Sequence, residues 1–301
     1  MSISRRNMLA AGGALAAAAV VGTDGQAATP RARKARTFML VHGGGHGGWC
    51  WERVATPLRA AGHLVYTPTL TGLADRQHLL NSGINLDTHI TDVVNLMKWD
   101  DLTDVILVGH SYGGMVITGI ADRALERIGH NVYLDAAHPR NGSGMWGGPS
   151  AAAGGGGGAA AAGGAAGQGG APAGGAGGAA GGGGRMTEVV NGVELTIFPN
   201  EAFVKGPLGV TDPKDVAWMM QKLTPHPMRC FTQPLVLQRE AEVHKLPTTD
   251  IWRAPVIANL RKTNAQYTWA QNVWEIDSNS HNLMITEPKK TTDMLLKIAA
   301  M

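Results

Sequence analysis

At 301 residues the chain is long enough for one large core domain, or for a core with a modest lid. Its 44% hydrophobic content and formal charge of +3 describe a globular chain, and it lacks the Lys/Arg stripe that nucleic acid requires, which excludes a polyanion-binding role. Cys50 and Cys230 are its two cysteines, too few for a disulfide framework and without metal-ligand spacing. Two unpaired thiols are expected, one bridge being the alternative, with no metal and no cofactor.

In chain order, Ser4-Arg5-Arg6-Asn7-Met8-Leu9 precedes the weakly apolar run Ala10–Gly22, and Gly25-Gln26-Ala27-Ala28 follows. Paired arginines, a mild apolar stretch and small residues before a cleavage point resemble a twin-arginine export signal over residues 1–28. The alternative is a membrane anchor, but the run falls short of the ~20 apolar residues needed to span. The expectation is therefore a periplasmic or secreted protein, with no stable membrane insertion after cleavage near Ala27.

A β/α alternation then begins. Thr37–Val41 reads as a buried strand ending in a glycine cluster, Trp51–Ala61 as a helix stopped by Gly62, and Leu64–Tyr66 as a second strand. Ile90, Val93, Val94 and Met97 give Leu86–Trp99 a helical period. The apolar strand Val105–Val108 runs into Gly109, Met115–Ile120 continues as a helix, and Val132–Leu134 forms the next strand. Strands alternating with helices predict a mostly parallel sheet with helices on both faces.

The alternation breaks at residues 147–184, which are almost wholly Gly and Ala. With no large side chains to bury, nothing offsets the entropy of ordering them, and a disordered insertion is expected. The strict Gly-X-Y period of collagen is missing. Patterning resumes near Met186, with a helix at Pro213–Leu223, strands at about Thr249–Arg253 and Asn272–Ile276, and a final helix opened by Pro288. This divides the chain into two core blocks, 36–144 and 231–301, around a lid region, 145–230. A lid so inserted lies over the carboxyl edge of the sheet, where ligands bind.

Gly109-His110-Ser111-Tyr112-Gly113 is a G-x-S-x-G motif entered by a strand and left by a helix, as a nucleophile elbow demands. Ser111 is the expected nucleophile. Its base is expected to be His281, in the loop after the last strand, while His42 and His110 are expected to brace loops. The orienting acid is open among three carboxylates. The stretch 254–262, read as a loop, holds none; Asp250 falls inside a strand, Asp277 is very close to His281, and Asp135 follows a strand and keeps the order Ser, Asp, His. Asp135 is the preferred candidate. Backbone amides of Gly44, in the cluster after the first strand, and of Tyr112 are expected to receive a developing oxyanion. G-G-G-H-G-G has neither the P-loop lysine nor dinucleotide spacing. Trp49, Trp146, Trp218 and Met284 are candidate pocket walls.

At these residues the chain resembles the plant methylesterase and hydroxynitrile lyase family within the α/β-hydrolase superfamily, and bacterial serine esterases similar to it. The likeness lies in His42-Gly43-Gly44-Gly45-His46-Gly47-Gly48-Trp49-Cys50-Trp51, Pro68–Leu73, Gly109–Gly114, Tyr133–Ala136, Leu223–Pro227 and Ser280–Met284. It implies the α/β-hydrolase fold, the Ser111–His281 pair, oxyanion amides at Gly44 and Tyr112, and a small-molecule ester substrate. The lyase branch relies on a threonine and a lysine where this chain has Gly43 and Asn282, so the resemblance favours hydrolysis of small, largely apolar carboxylic esters or carbamate-like compounds. Haloalkane dehalogenases are similar at the post-elbow strand and carry their acid there, in favour of Asp135. Two other readings stay open: a small-ligand receptor on a hydrolase scaffold, and a carbon–carbon bond hydrolase.

Overall fold

The computed structural model describes residues 35–146, 187–196, 200–263 and 268–301. The expected export signal and the Gly/Ala tract lie outside them. Strand β1 (Thr37–Val41) pairs with β2 (Leu64–Tyr66) on one side and β3 (Val105–His110) on the other; β4 (Ile128–Leu134), β8 (Thr248–Arg253) and β9 (Asn272–Ile276) follow outward. All these pairings are parallel, in the order β2-β1-β3-β4-β8-β9. Strand direction of side chains alternates, so Phe38 and Leu40 enter one buried cluster and Met39 and Val41 the other. A sheet covered on both faces explains why β3 reads as an unbroken apolar run rather than an alternating one.

The chain order reverses between β1 and β3. The loops leaving those two strands, Gly43–Gly48 and Ser111–Tyr112, therefore share one crevice at the carboxyl edge, the usual place for a ligand in an open α/β sheet.

Helices α1 (Glu52–Ala60), α2 (Leu86–Trp99) and α3 (Gly113–Arg123) connect the first four strands. Asn85 caps α2: its side chain accepts from the Thr88 amide while the Thr88 hydroxyl accepts from the Asn85 amide, a reciprocal capping box. Several segments are longer than expected or differently built. β3 continues through Gly109 and His110, and α3 begins at Gly113, because Gly109 and Gly113 are small enough for the turn between them to close. The expected helix from Trp51 opens as a 3-10 turn at Gly48–Trp51.

The stretch after β8, expected to be a loop, is helix α8 (Ala254–Thr263). Pro255 stands in its first turn, where a missing N–H costs nothing, so β8 passes into the helix without a loop. A second sheet was not anticipated: β5 (Thr187–Val190) and β6 (Val193–Thr196) form a hairpin through Asn191 and Gly192, both at positive φ, and β7 (His226–Pro227) adds antiparallel to β6. Short helices α4 (Glu201–Lys205), α5 (Pro213–Lys222), α6 (Arg229–Thr232) and α7 (Glu240–Val243) lie between the two blocks of the main sheet; α9 (Leu283–Thr286) and α10 (Pro288–Ala299) close the chain. No described helix is long and apolar enough to cross a membrane. Cys50 and Cys230 are buried free thiols.

Candidate active site

Ser111 occupies the tip of the turn between β3 and α3 with φ 55°, left-handed backbone that costs a non-glycine residue about 1–2 kcal/mol. Its neighbours enforce this. A Cβ on Gly109 would stand 2.6 Å from the Gly113 carbonyl oxygen, one on Gly113 2.8 Å from that of Val41, and one on Gly114 2.0 Å from that of Ala137. The Ser111 carbonyl accepts from the amides of Gly114 and Ala137, both at 3.0 Å, which pins the turn to the end of β4. Ser111 itself stays partly exposed between buried neighbours.

Asp135 directly follows β4. It too has a positive φ, 43°, tolerable for aspartate, and its amide donates to the Ile251 carbonyl at 2.8 Å. His281 sits in the loop between β9 and α9, its amide held by the Leu208 carbonyl at 3.0 Å. The two side chains meet: His281 Nδ1 donates to Asp135 Oδ2 at 2.5 Å, with both groups buried. Because Nδ1 carries the proton, the Nε2 lone pair is left to act as a base. Asp250 lies within β8, as its sequence position implied, and approaches His138 instead, at 2.8 Å. Asp277 is exposed, and its carbonyl is taken by Lys290 Nζ at 2.8 Å. Geometry thus singles out Asp135 among the three carboxylates as the partner of His281.

Sequence reasoning missed Arg253. It stands at the end of β8, next to β4, and its Nε donates to the same Asp135 oxygen at 2.8 Å while Nη1 reaches the Asn279 carbonyl at 3.2 Å. One guanidinium thereby ties Asp135 to the loop carrying His281. The available signal was an arginine inside an otherwise buried strand.

The two histidines assigned to bracing do brace. His42 Nδ1 donates to the Gly43 carbonyl at 2.8 Å and Nε2 accepts from the Leu70 amide at 3.1 Å; burial pushes this imidazole down to about 3, so it stays neutral. His110 Nε2 donates to the His281 carbonyl at 2.8 Å, and the two rings lie 4.6 Å apart. The residue before Ser111 therefore grips the loop that carries His281.

In the first loop, a Cβ on Gly43 would come within 3.0 Å of Ser111 Cβ, so only glycine allows the loop so near. Among the described residues the Gly45 and Gly48 amides are engaged, by His226 Nδ1 at 3.1 Å and Thr69 Oγ1 at 3.0 Å, whereas the Gly44 and Tyr112 amides meet no acceptor. Of the candidate walls, Trp49 and Trp218 touch edge to face at 4.9 Å and are partly exposed. Trp146 stacks on Phe231 at 3.8 Å against the opposite cluster, and Met284 is wholly buried in core packing. The four do not form one wall.

His89, His226 and Cys230 bring three potential metal donors within 4.8 Å of one another. Their protons are already committed. His89 Nε2 donates to the Thr71 carbonyl at 2.9 Å, so Nδ1 accepts from the Tyr112 hydroxyl at 2.9 Å. His226 Nδ1 accepts from Gly45, so its proton is on Nε2. Ligation through either ring would break one of these buried hydrogen bonds, and burial raises the Cys230 thiol far above its usual range. The cluster suits a fixed hydrogen-bond network better than an ion.

Comparison with known proteins follows the same outline. Residues 38–293 match the Alpha/beta hydrolase family. The chain belongs to the α/β-hydrolase family. Among curated relatives, a carbendazim hydrolyzing esterase of Nocardioides sp. (strain SG-4G) is 55% identical over 108 residues, 36% of this chain and 45% of the relative. Methylesterase 1 of Arabidopsis thaliana is 33% identical over 118 residues, 36% of this chain and 41% of its own length. The matched portion spans less than half the length of these relatives. Among solved structures, a methylesterase protein MES16 from Arabidopsis superposes with TM-score 0.63 at 23% identity, covering 88% of this chain and 99% of that one. An extracellular α/β-hydrolase from a Paenibacillus species gives TM-score 0.60 at 20% identity, over 87% and 98%. At these identities the superpositions speak for the fold alone.

Proposed function

We propose that this chain is an exported serine esterase that hydrolyses small, largely apolar carboxylic esters through an acyl-enzyme. The observation that carries the reading is the 2.5 Å contact from His281 Nδ1 to Asp135, with His281 in a loop that His110, the residue before Ser111, holds by its carbonyl, and Ser111 itself in an elbow at φ 55°. His281 Nε2 removes the Ser111 proton as the hydroxyl attacks the ester carbonyl, and Asp135 stabilises the imidazolium that results. The Gly44 and Tyr112 amides receive the oxyanion, each worth roughly 3–4 kcal/mol of barrier. The protonated His281 then gives its proton to the departing alcohol, and a water activated by the same base releases the acid.

The relatives named as esterase and methylesterase support this chemistry, and the one named for hydrolysing carbendazim makes that compound a first choice among carbamate-like candidates. Export rests on the twin-arginine-like N-terminus. The test is turnover of p-nitrophenyl acetate and of a panel of methyl esters and carbamates. Ser111→Ala is expected to lose roughly 10⁴-fold or more in kcat while keeping the fold. Retention of a tenth of wild-type activity would overturn the proposal.

A further inference from the structure

The segment joining α5 to β7 grips the loop that carries Gly44. The Thr224 amide donates to the Gly45 carbonyl at 3.0 Å, and the Gly45 amide donates back to His226 Nδ1 at 3.1 Å. The Thr224 hydroxyl also accepts from the Ala74 amide at 3.1 Å. The peptide plane that follows Gly44 is thus held at both ends: its carbonyl, Gly44 O, by His46 Nδ1 at 2.7 Å, and its N–H by His226. Gly45 has φ 70°, so the loop turns sharply there and depends on such anchors.

The His226 ring also meets the second expected oxyanion residue. Its centroid lies 5.0 Å from that of Tyr112, edge to face, and 4.5 Å from that of Phe231. Tyr112 is fixed from its far end by its hydroxyl on His89. One wholly buried imidazole therefore contacts Gly45, one residue past Gly44, and the Tyr112 ring. Burial holds His226 well below the usual imidazole range, so Nδ1 remains an acceptor at working pH.

We propose that His226 is a positioning residue for the oxyanion hole: by fixing the peptide that follows Gly44 and the Tyr112 ring, it limits the rotation of the Gly44 and Tyr112 residues so that their amides aim at one point. The inference rests on the esterase reading above. A donor displaced by a fraction of an ångström loses part of what it contributes when the oxyanion forms, and little of what holds the ground-state ester. Loss of His226 then lowers kcat and spares KM.

The experiment compares wild type, His226→Leu, which removes the acceptor at similar bulk, and His226→Asn, whose Oδ1 can stand in for Nδ1. Each is assayed for kcat and KM on p-nitrophenyl acetate and for inhibition by a trifluoromethyl ketone, whose serine adduct carries an oxyanion. His226→Leu is expected to lose about 10- to 100-fold in kcat with KM within threefold, and to bind the ketone more weakly by a similar factor. His226→Asn is expected to recover to within about fivefold of wild type. A folded Leu variant with normal kcat overturns the proposal, as does lost kcat with unchanged ketone affinity, or an Asn variant no better than Leu. Should His226→Leu not fold, His226→Gln takes its place, with its acceptor one carbon out of register; equal kcat for Gln and Asn then overturns the proposal. A wild-type protein inert toward every ester fails the esterase reading itself, and the His226 role with it.

Discussion

Two buried histidine–aspartate pairs stand on neighbouring strands of the main sheet. Asp135, at the end of β4, takes His281 Nδ1 at 2.5 Å; Asp250, inside β8, lies 2.8 Å from His138 Nε2. Side-chain exposure does not separate them, at 4% and 2% for the first pair and 2% and 0% for the second. Their surroundings do. His281 packs on His110, the residue before a partly exposed serine, and Arg253 shares its aspartate. His138 is enclosed by aromatic rings, with Tyr133 at 3.7 Å and Trp269 at 4.7 Å, and its aspartate also accepts from Trp252 Nε1 at 3.2 Å. The two contacts differ in what lies beyond the imidazole: the first adjoins the turn of a partly exposed serine, whereas the second sits inside an aromatic cage and is part of the core.

The comparison breaks if the pairs can exchange roles. Asp135→Asn is expected to lose three to four orders of magnitude in kcat with little change in KM, because the amide favours the wrong tautomer of His281. Steady-state kinetics, with circular dichroism to verify the fold, decides it; near-normal kcat in a well-folded variant contradicts the assignment.

Acid sharpens the contrast around the carboxyl edge of the main sheet. Burial lowers His42 to about 3, His46 and His89 to about 4, and His110 and His226 well below 6.5. With folded values below the unfolded one, their contribution is fully present above pH 6.5 and is lost as the pH falls from there toward 3. Urea titrations at pH 7 and pH 5 are expected to show a drop in stability, about 1 kcal/mol or more for each of His42, His46 and His89. A flat profile would show that these rings are not buried and neutral.

Asp250→Ala is expected to cost about 3 kcal/mol in stability, for a broken buried pair, while kcat per folded molecule stays within tenfold. The smallest effect belongs to Asp277→Asn, an exposed residue near His281 in sequence: less than tenfold in kcat and no measurable change in melting temperature.

How much of this was legible in the sequence follows the range of the interactions. The elbow is a local affair, in which an apolar strand, glycines at 109, 113 and 114 and a helix specify the turn around Ser111, and Asp135 is readable from its place one residue past a strand. Arg253 and His226 act across 118 and 181 residues, and no period or spacing announces such contacts. The stretch Ala254–Thr263 reads as the loop after a strand, whereas it is a helix that starts directly at the strand's end, with Pro255 compatible in its first turn. The hairpin at 187–196 is short and half polar, with too few residues for alternation to register, and its turn at Asn191-Gly192 was the overlooked signal.

The central claim, a single activated serine oriented by the His281–Asp135 pair, is tested most directly by covalent labelling. The protein is incubated with a fluorophosphonate, its intact mass measured, and the adduct mapped by peptide sequencing, in wild type and in Ser111→Ala and Asp135→Asn variants. The account predicts one adduct per chain, on Ser111, absent from the alanine variant and formed far more slowly in the asparagine variant. An adduct on another residue, or labelling of Asp135→Asn at the wild-type rate, would contradict it.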